Sequence, residues 1–101
     1  MVFYIMIINF ADKGTEDIFN GFDTKAARRI PLTIWNTARL RLDAMDAARQ
    51  LQDLKFPPGN RLESLKGNLV GYYSIRINNQ FRIIFRWVNG DILDVEITDY
   101  H

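Results

Sequence analysis

The chain has no cysteine, a single histidine and three prolines. Without cysteine, neither disulfides nor thiolate chemistry is open to it, which fits a reducing cytoplasm. No apolar run approaches the roughly 20 residues of a membrane span. The first ten residues are apolar, but no cationic segment of the kind that opens a secretory signal precedes them. A cytoplasmic protein without a membrane partner is therefore expected. There is no glycine-rich phosphate loop, no His/Asp/Glu cluster at metal-ligand spacing and no Ser-His-Asp set in a plausible frame, so neither metal nor cofactor is expected. An excess of charge is missing too: 13 Lys and Arg face 12 Asp and Glu.

That near-neutral total hides a division along the chain. Arg61, Lys66, Arg76, Arg82 and Arg86 lie between residues 61 and 87 with one anion, Glu63. From Val88 onward come Asp91, Asp94, Glu96 and Asp99 and no Lys or Arg. A basic stretch running into an acidic tail can form a local anion site.

With 101 residues, 48% of them apolar, the chain can build one core and not two. It reads as a single domain over 1–101, with 1–5 an extra lead-in because Met6 would also serve as a start. Residues 6–10 read as an edge strand. Asp12 to Asn20 reads as a short helix ended by Gly21. After Ile30-Pro31, the residues Ile34, Ala38, Leu42 and Met45 recur at helical spacing. A helical turn around Ala48–Leu54 stops at Phe56-Pro57-Pro58-Gly59.

The second half alternates. Tyr73, Ile75 and Ile77 oppose Ser74 and Arg76; Phe81, Ile83, Phe85 and Trp87 oppose Arg82, Ile84 and Arg86; Leu93, Val95 and Ile97 oppose Asp94, Glu96 and Thr98. These are half-buried antiparallel strands. Register follows from keeping apolar residues on one face. A three-residue loop at Asn78-Asn79-Gln80 pairs Ile75 with Ile83, Tyr73 with Phe85 and Arg76 with Arg82. A three-residue loop at Asn89-Gly90-Asp91 would pair Trp87 with Leu93, Phe85 with Val95 and Arg86 with Asp94.

Two arginines directly across a strand pair repel one another. Arg76 and Arg82 therefore read as an anion site, while Arg86 reads equally well as a solvated partner of Asp94. The lone histidine, His101, follows Asp99 and Tyr100. A terminal histidine is usually a frayed end. Here an anchoring apolar strand, a carboxylate and a phenol beside it favour acid/base work. Lys66 sits in Leu65-Lys66-Gly67-Asn68, a turn where a lysine is normally just solvated. Tyr72 is a candidate for stacking on bases; Tyr73 belongs to the core face.

Cations with an acid/base group suit RNA cleavage, because RNA carries its own nucleophile, the 2′-hydroxyl. Arg82, Arg76 and Lys66 would stabilise charge on phosphorus while His101, Asp99 and Tyr100 manage protons.

The block from Pro57 to Asn68 (Pro-Pro-Gly-Asn-Arg-Leu-Glu-Ser-Leu-Lys-Gly-Asn) resembles the HigB toxins, particularly the GraT-type members, of the RelE/ParE superfamily. So do Ser74-Ile75-Arg76-Ile77-Asn78, Gln80-Phe81-Arg82-Ile83, Phe85, Asp94 to His101 and, as a second helix, Leu42 to Ala48. The resemblance covers residues 6–101. It implies an α+β, RelE/ParE-like fold, with N-terminal helices packed on one face of a mostly antiparallel sheet. It implies an endoribonuclease that cuts translated mRNA in the ribosomal A site and inhibits translation and growth. The implied partner is a HigA-like helix-turn-helix antitoxin, in a heterotetramer that meets operator DNA only through the antitoxin. Matching the family's site selects Lys66, Arg82, Asp99, Tyr100 and His101 as catalytic, with Arg76, Glu63 and Arg61 on the substrate side. Some HigB proteins carry histidine where this chain has Glu63. A carboxylate repels phosphate, so slower turnover is expected. Two rivals share the arginine face: a ParE-like gyrase inhibitor, which gives no reason for Asp99-Tyr100-His101, and a non-catalytic ribosome- or RNA-binding module.

Overall fold

The computed structural model describes residues 7–99. The lead-in 1–5, Met6, Tyr100 and His101 lie outside the described residues.

Helix α1 spans Lys13–Asn20 and both ends are closed chemically. Asp12 caps the start, its carboxylate accepting from the Thr15 N–H at 3.0 Å. Gly21 ends it with φ 80°, a conformation glycine adopts without strain, and Phe22 N–H then donates back to the Asp17 carbonyl at 2.8 Å. Gly14 in the first turn is required by packing, since a Cβ there would stand 2.6 Å from the Ala26 carbonyl oxygen. Helix α2 spans Trp35–Ala47 and buries Ala38, Leu42 and Met45, the stripe its spacing predicts. A 3₁₀ turn at Leu51–Lys55 and another at Pro58–Asn60 carry the chain to the sheet.

The strands β1 (Glu63–Ser64), β2 (Tyr72–Arg76), β3 (Phe81–Val88) and β4 (Asp91–Asp99) form an antiparallel meander in sequence order. The core lies on one face only. Ile18, Ala38, Leu42 and Met45 from the helices meet Ile75, Ile83, Phe85, Ile92, Val95 and Ile97 from the sheet, and Tyr73 stacks on Phe85 with centroids 6.1 Å apart. The architecture is the expected α+β one. Among the described residues, no helix is long and apolar enough to cross a membrane.

The β2–β3 register is the expected one, with Tyr73 opposite Phe85, Ile75 opposite Ile83 and Arg76 opposite Arg82. The β3–β4 register differs. Asn89 (φ 50°) and Gly90 (φ 89°) form a two-residue turn, so Val88 pairs with Asp91, Trp87 with Ile92 and Arg86 with Leu93. Two left-handed residues match the twist of a hairpin better than the longer loop does. Continued unbroken, this register would turn Asp94 and Glu96 into the core. A bulge prevents it: Asp94 adopts φ 54°, Phe85 faces two residues of β4, and beyond it Ile84 pairs with Glu96 and Ile83 with Ile97. Ile92, Val95 and Ile97 are thereby all buried, whereas Leu93, expected inside, is only half-buried. Asn9 holds the bulge, donating to Asp94 Oδ1 at 2.9 Å and accepting from the Asp94 N–H at 3.0 Å. Arg86 completes it with an ion pair to Asp94 at 3.0 Å, so the solvated-pair reading of that arginine is the correct one.

The bulge also reshapes the edge. Residues 7–11 run parallel to β4 through Ile8 N–H to Ile92 O at 2.8 Å and Ala11 N–H to Val95 O at 2.8 Å. They make two isolated bridges, at Ile7 and Phe10, and not the continuous edge strand expected over 6–10. Asp94 lies between the two bridge partners on β4, Ile92 and Val95, and interrupts the ladder there.

One buried carboxylate organises the helical layer. Asp17, 1% exposed, accepts from Lys13 Nζ at 2.7 Å and from Thr24 Oγ1 at 2.6 Å, and Thr24 in turn accepts from the Ala27 N–H at 3.1 Å. The Lys13 and Thr24 hydrogen bonds hold its carboxyl below the usual range. The stabilisation is present while Asp17 is ionised and fades once pH falls below about 4. Thermal unfolding followed by circular dichroism is expected to show the midpoint dropping as pH falls below about 4. In Asp17→Asn that drop is expected to be shallower, from a lower midpoint at neutral pH; an identical acid slope would contradict the role.

Candidate active site

With the helices on one side, the other face of the sheet is open. Across it run two rows: Glu63, Ser74, Ile84 and Glu96, then Arg76, Arg82 and Thr98.

Arg82 lies at the centre and is only 6% exposed. Burying a guanidinium costs several kcal/mol unless acceptors meet it. Its Nε donates to Ser74 Oγ at 2.8 Å and its Nη2 to the Arg61 carbonyl at 2.8 Å, with the Glu63 carboxylate 4.0 Å away. The Arg61 carbonyl reaches it through a left-handed turn, φ 47° at Arg61, where the chain leaves the Pro58–Asn60 turn for β1. Arg76 is its cross-strand neighbour, and each has its own acceptors, since Arg76 Nη2 hydrogen-bonds the Asn79 side chain in the hairpin. Two like charges can therefore share one row. Arg61, Glu63, Arg76 and Arg82 line a hollow of about 280 Å³ with Asn78 and Asn79.

Lys66 and Asp99 lie together in an adjoining hollow on the same face. Lys66 is exposed and precedes the 3₁₀ turn Gly67–Leu69. Asp99 ends β4 opposite Phe81, and its Oδ2 accepts from Gln80 Nε2 at 3.0 Å. Arg82, which lines the first hollow, pairs across the strands with Thr98, which lines the second. Tyr100 and His101 lie outside the described residues. Tyr72, half-buried, stands opposite Arg86. A larger hollow of about 660 Å³, between the Leu51–Lys55 turn and Tyr73 and Trp87, shares no residue with the cation cluster.

Sequence reasoning names the cations but not what holds them. Ser74 reads only as a polar-face residue, although the β2–β3 register already sets it one row from Arg82. The Arg61 carbonyl has no side-chain signal at all. Ser74→Ala leaves the Arg82 Nε–H without that acceptor, and loss of a hydrogen bond to a buried charge costs about 1.5–3 kcal/mol. Urea unfolding is expected to show that loss, and a midpoint equal to wild type would contradict it.

The whole of residues 8–101 matches the family model described as the RelE-like toxin of the type II toxin-antitoxin system HigB. Toxin HigB-1 of Vibrio cholerae is 46% identical over 89 residues, covering 88% of this chain and 92% of that protein. Endoribonuclease HigB of Proteus vulgaris is 32% identical over 96 residues, covering 95% of this chain and all of that one. The toxin–antitoxin complex YoeB–YefM of Staphylococcus aureus contains a chain that superposes with a TM-score of 0.57 at 20% identity, covering 94% of this chain and 97% of its own, which shows a shared fold. The helices on one side and the meander with its open cationic face are thus a RelE/ParE-like architecture, and the chain belongs to the HigB-like family of RelE-like toxins of type II toxin–antitoxin systems.

Proposed function

We propose that this toxin is an endoribonuclease that cuts mRNA on translating ribosomes by attack of a 2′-hydroxyl on the adjacent phosphate. The observation that carries the reading is Arg82: a guanidinium held rigidly by Ser74 and the Arg61 carbonyl at the centre of an otherwise open sheet face, beside Arg76 and Arg61. A preorganised cation stabilises charge developing on phosphorus without reorganising during the reaction. Lys66, exposed in the next hollow, adds a further positive charge. Asp99 sits in that hollow, and Tyr100 and His101 follow it in the chain; imidazole and phenol are suited to taking the 2′ proton and protonating the departing 5′-oxygen. The name of the Proteus vulgaris relative supports RNA cleavage as the activity. Glu63, 4.0 Å from Arg82, offsets part of the positive field a phosphate would meet, which supports slow turnover. Cytoplasmic action on the A site, and neutralisation by a HigA-like helix-turn-helix antitoxin in a heterotetramer, complete the reading.

Primer extension on bacterial mRNA after induction without antitoxin tests it. Wild type is expected to yield new 5′ ends inside translated codons, abolished when translation initiation is blocked. His101→Ala and Arg82→Ala are expected to lose at least about a hundredfold in cutting, as removal of an acid/base or charge-stabilising group does. Glu63→His is expected to cut faster. Growth arrest with intact mRNA would overturn the nuclease reading in favour of gyrase inhibition or ribosome occupancy.

A further inference from the structure

Ile84 is an aliphatic side chain in the middle of a polar sheet face. Glu63, Ser74 and Glu96 share its row, and Arg82 and Arg86 flank it along β3. The core makes no use of it, since Ile83 and Phe85 on either side point the other way and are fully buried, while Ile84 is half-buried on the polar face. Around it lies a hollow of about 390 Å³ lined by Leu65, Lys66, Leu69, Ile84, Thr98 and Asp99. Three aliphatic side chains give it apolar walls; an ammonium, a hydroxyl and a carboxylate give it a polar rim. Leu69 reaches it because the chain turns tightly there, with Gly67 at φ 65° and Gly71 at φ 94°.

Apolar walls with convergent polar groups suit a flat heterocycle that has two apolar faces and a hydrogen-bonding edge. The neighbouring hollow is cationic, lined by Arg61, Arg76 and Arg82. Arg82 and Ile84 project from the same face two residues apart, about 7 Å along the strand. A base over Ile84 and its phosphate at Arg82 lie within the reach of one nucleotide.

We propose that the hollow floored by Ile84 receives one unstacked nucleobase of the RNA strand, so that Ile84, Leu65 and Leu69 bias which bases lie beside the cut. This rests on the RNA-cleaving reading above and adds to it a specificity element that carries no charge. The cations bind any sequence; an apolar hollow distinguishes a base from its absence, and one base from another by fit.

The test is binding, kept separate from cleavage. Short oligoribonucleotides, 2′-O-methylated so that no 2′ nucleophile remains, are measured by fluorescence anisotropy, intact or with one abasic residue at each position in turn. For wild type, one abasic position is expected to weaken binding roughly tenfold or more, with small effects elsewhere. In Ile84→Ala and in Leu69→Ser, the latter on an exposed turn where folding is not at stake, that penalty is expected to shrink to roughly twofold. Ile84→Leu is expected to keep it. A wild-type penalty that is absent or uniform along the strand, or one unchanged in both Ile84→Ala and Leu69→Ser, overturns the proposal. Mapped mRNA cuts without a position-specific penalty reject the hollow and leave the nuclease reading intact; the penalty without cuts does the reverse.

Discussion

The burial of Arg82 is the constraint around which the open face is arranged. A guanidinium 6% exposed at the middle of a sheet needs fixed acceptors, and two of them come from distant parts of the chain. Ser74 is supplied by the neighbouring strand at 2.8 Å. The Arg61 carbonyl, also at 2.8 Å, is supplied by the loop that enters the sheet. That second bond ties the Pro58–Asn60 turn, the left-handed residue at Arg61 and the two-residue strand β1 to the centre of the sheet. A strand as short as Glu63–Ser64 has little ladder of its own, so its position depends on such a tie. The same tie sets Glu63 near Arg82 and delivers the following residues, including Lys66, to the face.

The second constraint is the bulge at Asp94. The Asn89-Gly90 turn by itself would send the wrong side of β4 inward. A single left-handed residue, clamped by the Asn9 amide and the Arg86 guanidinium, restores the alternation. Holding a non-glycine residue at positive φ costs about 1 kcal/mol or more. Against it stand the burial of Val95 and Ile97 and the placing of Glu96 and Thr98, both half-buried, on the opposite face. The proposed site depends on this as much as stability does, because the bulge decides which face Thr98 presents and where the chain carries Asp99.

Much of this was legible in the sequence, and the gaps have identifiable causes. Asp12 and Gly21 bracket α1 because capping chemistry is local, and Ala38, Leu42 and Met45 identify the inner face of α2. The first hairpin could be registered to the residue, since a two-residue loop would flip one strand's faces and the three-residue loop keeps Ile75 and Ile83 on the same side. The second could not, because Leu93, Val95 and Ile97 imitate a regular strand so well that the bulge leaves no trace in the pattern. The better clue was Asn-Gly itself, whose preference for a two-residue turn makes an unbroken β4 impossible without burying acids. In the site, charge was easy to find and its support was not: a serine on a polar face and a backbone carbonyl look like nothing in a sequence. Ile84 stood in plain view as the apolar exception among Arg82 and Arg86. Tyr100 and His101 rest on the family resemblance and the reactivity of their side chains.

If this face cleaves RNA through the substrate's own 2′-hydroxyl, the cut ends carry the chemical signature of that attack. Purified protein would be incubated with ribosomes translating a defined message, and the 3′ ends of the fragments identified by mass spectrometry. Attack by the 2′-hydroxyl gives 2′,3′-cyclic phosphate ends, opening to 3′-phosphates, and no cutting when the nucleotide 5′ of the break is 2′-deoxy. Ends bearing a 3′-hydroxyl, or undiminished cutting at the deoxy position, would contradict it.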